Sequence, residues 1–265
     1  MSHAWSVQPA IARPVEIRRI GMGDLGDALR QGWADFLATP TQLVFLTIFY
    51  PVFGLVLGAA TAGGELWSLL WPLVGGFALV GPVAALGIYE LSRRREQGKD
   101  PSVLDAFCVF RSPALSSILA LAVLLLAIFV AWIAAARGIY NAAMGHLPPP
   151  ASLGEFAERV TSTSEGLHMF LLGNGVGLAF AAVVLCLTVV SFPMLLDRNP
   201  GVAEAVRTSV RAVAANPLPM AAWGLLVAGI LFLGSLPLFV GLAIALPVLG
   251  HATWHLYRKV VAPPA

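Results

Sequence analysis

Residues 114–136 read ALSSILALAVLLLAIFVAWIAAA, a run without one charged side chain. A hydrocarbon core of about 30 Å is crossed by roughly 20 helical residues. Lipid offers no partner to backbone polar groups, so a run of this kind must bond internally as a helix. Five further runs behave alike, and the expected spans are 41–62, 66–91, 114–136, 171–196, 218–235 and 237–257. Ser235, Leu236 and Pro237 separate the last two, since a proline breaks what would otherwise be one overlong helix. Charged residues make up 11% of the chain, against roughly 25% in soluble domains, and 58% of it is hydrophobic. These proportions exclude an ordinary soluble enzyme and a disordered chain. A net charge of +2 gives no reason to expect nucleic acid as a partner. The fold class expected is all-α, a polytopic membrane helix bundle whose first partner is the lipid bilayer.

The basic residues record orientation. Fourteen of the sixteen Lys and Arg fall in the N-terminal segment, in 92–113, in 197–217 and after 257. The remaining two, Arg137 and Arg159, fall in the opposite connections. Basic residues mark cytoplasmic loops, so both termini are expected in the cytoplasm. The first forty residues hold four arginines but no apolar core of signal-peptide length, so the first span is expected to act as its own insertion signal. The division expected is a tail over 1–22, one membrane domain over 23–260 and a short tail over 261–265. The long connection 137–170 contains Pro148, Pro149 and Pro150, followed by Leu153, Phe156, Ala157 and Val160 at helical spacing. It predicts a turn and a short interfacial helix.

Three segments on the basic side look alike: DLGDALRQGWADFLATP from Asp24, DPSVLDAFCVFRSP from Asp100 and NPGVAEAVRTSVRAVAANP from Asn199. Each opens on Asp or Asn, which suits a helix N-cap, and each ends on a proline that can start the next helix. In the third, Val202, Val206, Val210 and Val213 share one face and Glu204, Arg207, Thr208 and Arg211 the other. In the first, Leu25, Leu29, Phe36 and Leu37 oppose Asp27, Arg30 and Asp35. The span ends repeat as well: Gly81–Arg93 aligns without a gap with Leu246–Arg258, and Phe192–Arg198 is a shorter third copy. The pattern predicts three units, each a short amphipathic helix followed by two spans.

Ionisable groups inside a span are costly and mark candidate sites. Here they are Glu90, Asp197, His251 and His255, just inside Arg93, Arg198 and Arg258. Asp197 and His251 each lie four residues after a proline, Glu90 and His255 eight after one, so a pseudo-symmetric packing would let them meet. His251 and His255 share a helical face. Three readings stay open for these groups: hydrogen bonding between helices, a proton or solute path, and a metal or haem ligand pair. A zinc site wants three or four ligands. Cys108 and Cys186 show no metal-ligand spacing, and no metal or other cofactor is expected. Glycine pairs (Gly54 and Gly58, Gly173 and Gly177) allow close helix approach, with Asn174 placed to bond across helices. Trp5, Trp33, Trp67, Trp71, Trp132 and Trp254 fall where an aromatic belt would lie. No GxSxG, HExxH or phosphate loop occurs, so an enzyme is not expected.

The strings SFPMLLDR (Ser191–Arg198) and GHATWHLYR (Gly250–Arg258) resemble a bacterial family of predicted integral membrane proteins, the domain of unknown function DUF2189. The resemblance covers most of residues 15–260 and brings no catalytic residue with it. Some members carry the label of cytochrome c oxidase subunits. The catalytic subunit of that enzyme is a twelve-helix bundle with several histidines for two haems and copper, which this chain does not match. The function expected is a non-enzymatic accessory, assembly or scaffold component of a membrane complex, a respiratory one among the candidates. The alternative is a small-solute transporter or channel that uses the intramembrane Glu, Asp and His residues.

Overall fold

The computed structural model describes residues 15–39, 72, 82–83, 85–237 and 240–263. Among these residues the chain is all-helical. The helices are α1 (Met22–Ala38), α2 (Leu86–Glu96), a 3-10 helix (Val103–Arg111), α3 (Leu115–Met144), α4 (Leu153–Ser162), α5 (Ser164–Thr188), α6 (Ser191–Arg198), α7 (Val202–Ala215), α8 (Pro217–Ser235) and α9 (Leu242–Val260). Among the described residues, three helical stretches are long and apolar enough to cross a membrane: α3, α5 continued through α6, and α8. They answer to the expected spans at 114–136, 171–196 and 218–235. The expected span 41–62, with Gly54 and Gly58, lies outside the described residues, as does most of 66–91. The last expected span forms α9, which is long enough but not apolar enough to be counted with the other three. Its final turns carry His255, Arg258 and Lys259.

Prolines and asparagines set the helix ends. Pro217 starts α8 at a position whose N–H would have no helical partner. Pro193 sits in the first turn of α6, just past a break at Val189 and Val190, so the expected span 171–196 is two helices rather than one. Asn199 caps the end of α6 in the left-handed conformation, φ 46°, instead of opening α7 as the sequence pattern suggested. Asparagine tolerates that region because its short side chain bonds locally. Gly201 takes the N-cap of α7 with φ 85°. Asp24 likewise is not the cap of α1 but the third residue inside it, where its carboxylate accepts the backbone N–H of Gly21 at 2.9 Å. The middle amphipathic segment, five residues shorter than its counterparts between its alanine and its proline, is a 3-10 helix opened by a Ser102–Asp105 capping box. Ser152 caps the short α4 at the place expected of an interfacial helix.

Helix α1 packs along α9, and α2 packs on the 3-10 helix, on α6 and on α9. Thus α2, α6 and α9, the three aligned span ends, touch one another. The core beneath them is aromatic: Trp223, Trp254, Tyr257 and Phe192 are fully buried. Trp132 is buried too, against Phe180 and Gly177, so it and Trp254 belong to the interior and not to a belt. Gly173 faces open space, and Asn174 bonds its own helix at Phe170 O, 2.8 Å, instead of a neighbour. The outer faces of α3, α5 and α8 expose Leu119, Val123, Leu126, Leu171, Leu178, Leu225 and Phe232. Exposed apolar area so continuous marks contact with lipid or protein.

The two ends of the described chain clasp each other. Arg18 N–H donates to Val260 O at 2.7 Å, and Ala262 N–H to Glu16 O at 3.1 Å. Asn216 completes the clasp: its Oδ1 accepts Ile20 N–H at 2.8 Å and its Nδ2 donates to Arg18 O at 3.1 Å.

Candidate functional site

The site begins with a missing side chain. Gly32 of α1 lies on Ala252 of α9 so closely that a Cβ there would stand 2.5 Å from the Ala252 nitrogen. One helical step on from each contact residue are Asp35 and His255, and they meet: His255 Nε2 is 2.8 Å from Asp35 Oδ2. Asp35 also accepts Ser92 Oγ–H at 2.7 Å and Arg95 Nε–H at 2.9 Å. With the Ser92 proton given to Asp35, the Ser92 oxygen accepts from His251 Nδ1, 2.7 Å away. His251 is fully buried, and its Nε2 has no partner among the described residues. Burial opposes the charge on Asp35, but the hydrogen bonds from His255 and Ser92 prevail and hold its carboxyl below the usual range. One carboxylate thus ties α1, α2 and α9 together.

A second group lies on α2. Glu90, buried, accepts Arg93 Nε and Nη2 at 2.8 and 3.1 Å and Arg94 Nε at 2.7 Å. Arg94 reaches on to Asp105 of the 3-10 helix at 2.6 Å. The Ser102 backbone N–H, the Ser102 hydroxyl and then Arg94 keep the Asp105 carboxyl below its usual value. A third group joins α6 to α9. Asp197 accepts Tyr257 Oη–H at 2.6 Å, Arg258 Nη1 at 3.1 Å and Arg198 Nε at 3.3 Å. Arg258 also bonds Glu96 at 2.8 Å and lies 5.8 Å from the centre of the Trp254 ring. Lys259 binds Asp24 at 3.0 Å and Asp27 at 3.4 Å, again between α9 and α1.

The four residues picked from the sequence therefore sit at one end of the helices but in different company. Glu90 and Asp197 line a cleft of about 550 Å³ together with Arg93 and Arg198. His255 and Arg258 line a second, of about 360 Å³, with Asp35. His251 lines neither. Glu90 does not meet a histidine: the partner of both imidazoles is Asp35, directly for His255 and through Ser92 for His251. Sequence reasoning placed Asp35 on the solvated face of α1 with Asp27 and Arg30. The available signal was Gly32, a helix-interior glycine three residues before it, which marks the face that approaches a neighbour. Ser92, Arg94, Arg95, Glu96, Asp105, Tyr257 and Lys259 were also passed over. Among the described residues no group of three or more His, Cys, Asp and Glu could hold a metal ion.

No curated protein and no solved structure shows significant similarity to the chain. A family match takes in most of SFPMLLDR but stops short of GHATWHLYR, and so is narrower than the resemblance read from the two strings. The long apolar helices agree with its description. Over residues 70–197 this chain matches the family described as predicted integral membrane protein (DUF2189).

Proposed function

We propose that the protein is a non-enzymatic accessory, assembly or scaffold component of a complex in the bacterial inner membrane. Its six spans fall in three parallel units, and both termini are cytoplasmic. The observation that carries this reading is the use made of the ionisable groups. Asp35, Glu90 and Asp197 are each saturated by two or more donors from the chain itself, and two of the three join separate helices. Charges spent on holding helices together are the mark of a rigid platform. Mutual contact of α2, α6 and α9 supports the three units, because these elements carry the repeated span ends.

The test is purification of the full chain in mild detergent, with a reciprocal pull-down from each co-purifying protein. A partner in fixed stoichiometry, recovered from both sides, is the expected result. A lone species in native electrophoresis, with no complex altered in a deletion strain, would overturn the reading. The cleft between Glu90 and Asp197 favours one alternative, a solute path. In proteoliposomes that reading requires Glu90→Gln to abolish uptake, and unchanged flux removes it.

A further inference from the structure

Four arginines, Arg93, Arg94, Arg111 and Arg198, converge from three segments of chain on the cleft of about 550 Å³, facing only Glu90 and Asp197 as carboxylates. Both carboxylates are already engaged. Glu90 takes Arg93 and Arg94, and Asp197 takes Tyr257, Arg258 and Arg198. The guanidinium groups are not used up in return. Arg93 commits Nε and Nη2, Arg94 commits Nε and Nη1, and Arg198 commits Nε and Nη2. One terminal nitrogen of each, and the whole of Arg111, is without a hydrogen-bond partner among the described residues. Guanidinium N–H groups left free in this way can donate to the oxygens of a phosphate.

The surroundings say how a phosphate would arrive. Ser112 and Pro113 line the cleft, and the 30-residue apolar helix α3 starts at Leu115. Leu119, Val123 and Leu126 are exposed along that helix. The 3-10 helix, which contributes Cys108 and Arg111 to the cleft, also exposes Leu104, Phe107 and Phe110, the two rings stacked 6.5 Å apart. Apolar side chains presented outward beside basic ones belong at headgroup depth in a bilayer. We infer that this cleft binds a phosphate group, as the headgroup of an anionic phospholipid presents it, with the acyl chains lying along α3. Basic pockets between membrane helices recognise such headgroups through shared charge and hydrogen bonding.

Arg111 is the residue to change, because it is exposed and makes no ion pair among the described residues, so its loss leaves the fold intact. The full chain, delipidated in non-ionic detergent, is titrated by native mass spectrometry with phosphatidylglycerol, with phosphatidylcholine and with inorganic phosphate. Phosphatidylglycerol is expected to be retained over phosphatidylcholine. Arg111→Gln should weaken that retention about fivefold, and Arg111→Glu more. Arg207→Gln, an equal loss of charge outside the cleft, should leave it unchanged. Displacement of the lipid by inorganic phosphate supports a phosphate site open to either source, and failure of phosphate to displace it supports the lipid headgroup as the source. Equal retention of the two lipids, or an Arg207→Gln effect as large as that of Arg111→Gln, would overturn the inference. The thermal midpoint of each variant in detergent checks that it is folded.

Discussion

Asp35 is nearly cut off from water and still ionised, because Ser92, Arg95 and His255 all donate to it. Removing one member of a buried charge network leaves the others uncompensated, which costs about 3 kcal/mol or more. Asp35→Asn should therefore lower the thermal midpoint in detergent clearly, whereas Arg30→Gln, at a mostly exposed ion pair, should scarcely move it. The pH dependence has a definite sign. The folded-state pKa of Asp35 lies below the usual value of 3.8, so its stabilisation is complete above that value and is lost as pH falls through the depressed one. Midpoints measured from pH 7 downward should drop in the acid limb for the parent chain and drop less for Asp35→Asn. Parallel curves would show that another group carries the acid sensitivity.

At the scale of elements, the crossing of α1 over α9 depends on Gly32. A methyl group there would stand 2.5 Å from the Ala252 backbone, and backbone cannot swing aside as a side-chain tip can. Gly32→Ala should cost about 1–3 kcal/mol by forcing the helices apart. Gly26→Ala, in the same helix with open space around it, should instead gain up to about 1 kcal/mol from helix propensity. Opposite signs for two identical substitutions, read as midpoints in detergent, would be hard to obtain unless the crossing is real. Some element ends were legible: the proline that opens α8 acts through local sterics, whereas Asp24, expected as a cap, lies inside α1. Asn199 was misassigned because an asparagine suits the start of one helix and the left-handed end of another equally well. Only the neighbouring residues' dihedral angles decide between them.

At the scale of the whole molecule, the orientation proposed from the basic residues can be tested with two exposed positions. In a background with Cys108 and Cys186 replaced by alanine, a membrane-impermeant maleimide applied to cells with a permeabilised outer membrane should label Glu158→Cys. Arg207→Cys should react only after lysis. The reverse pattern would overturn the orientation. Hydrophobic run length and proline positions were enough to establish, without coordinates, a helical membrane protein and the apolar runs that form α3, α5 with α6, and α8. Those properties depend on near neighbours in the chain and on the solvent around it. The choice of partners was different. Asp35 and His255 are 220 positions apart, and Arg258 and Glu96 are 162 apart. Helical periodicity says which side chains share a face. It does not say which other helix that face will meet, and the close approach at Gly32 that brings Asp35 and His255 together exists only once α1 has packed on α9.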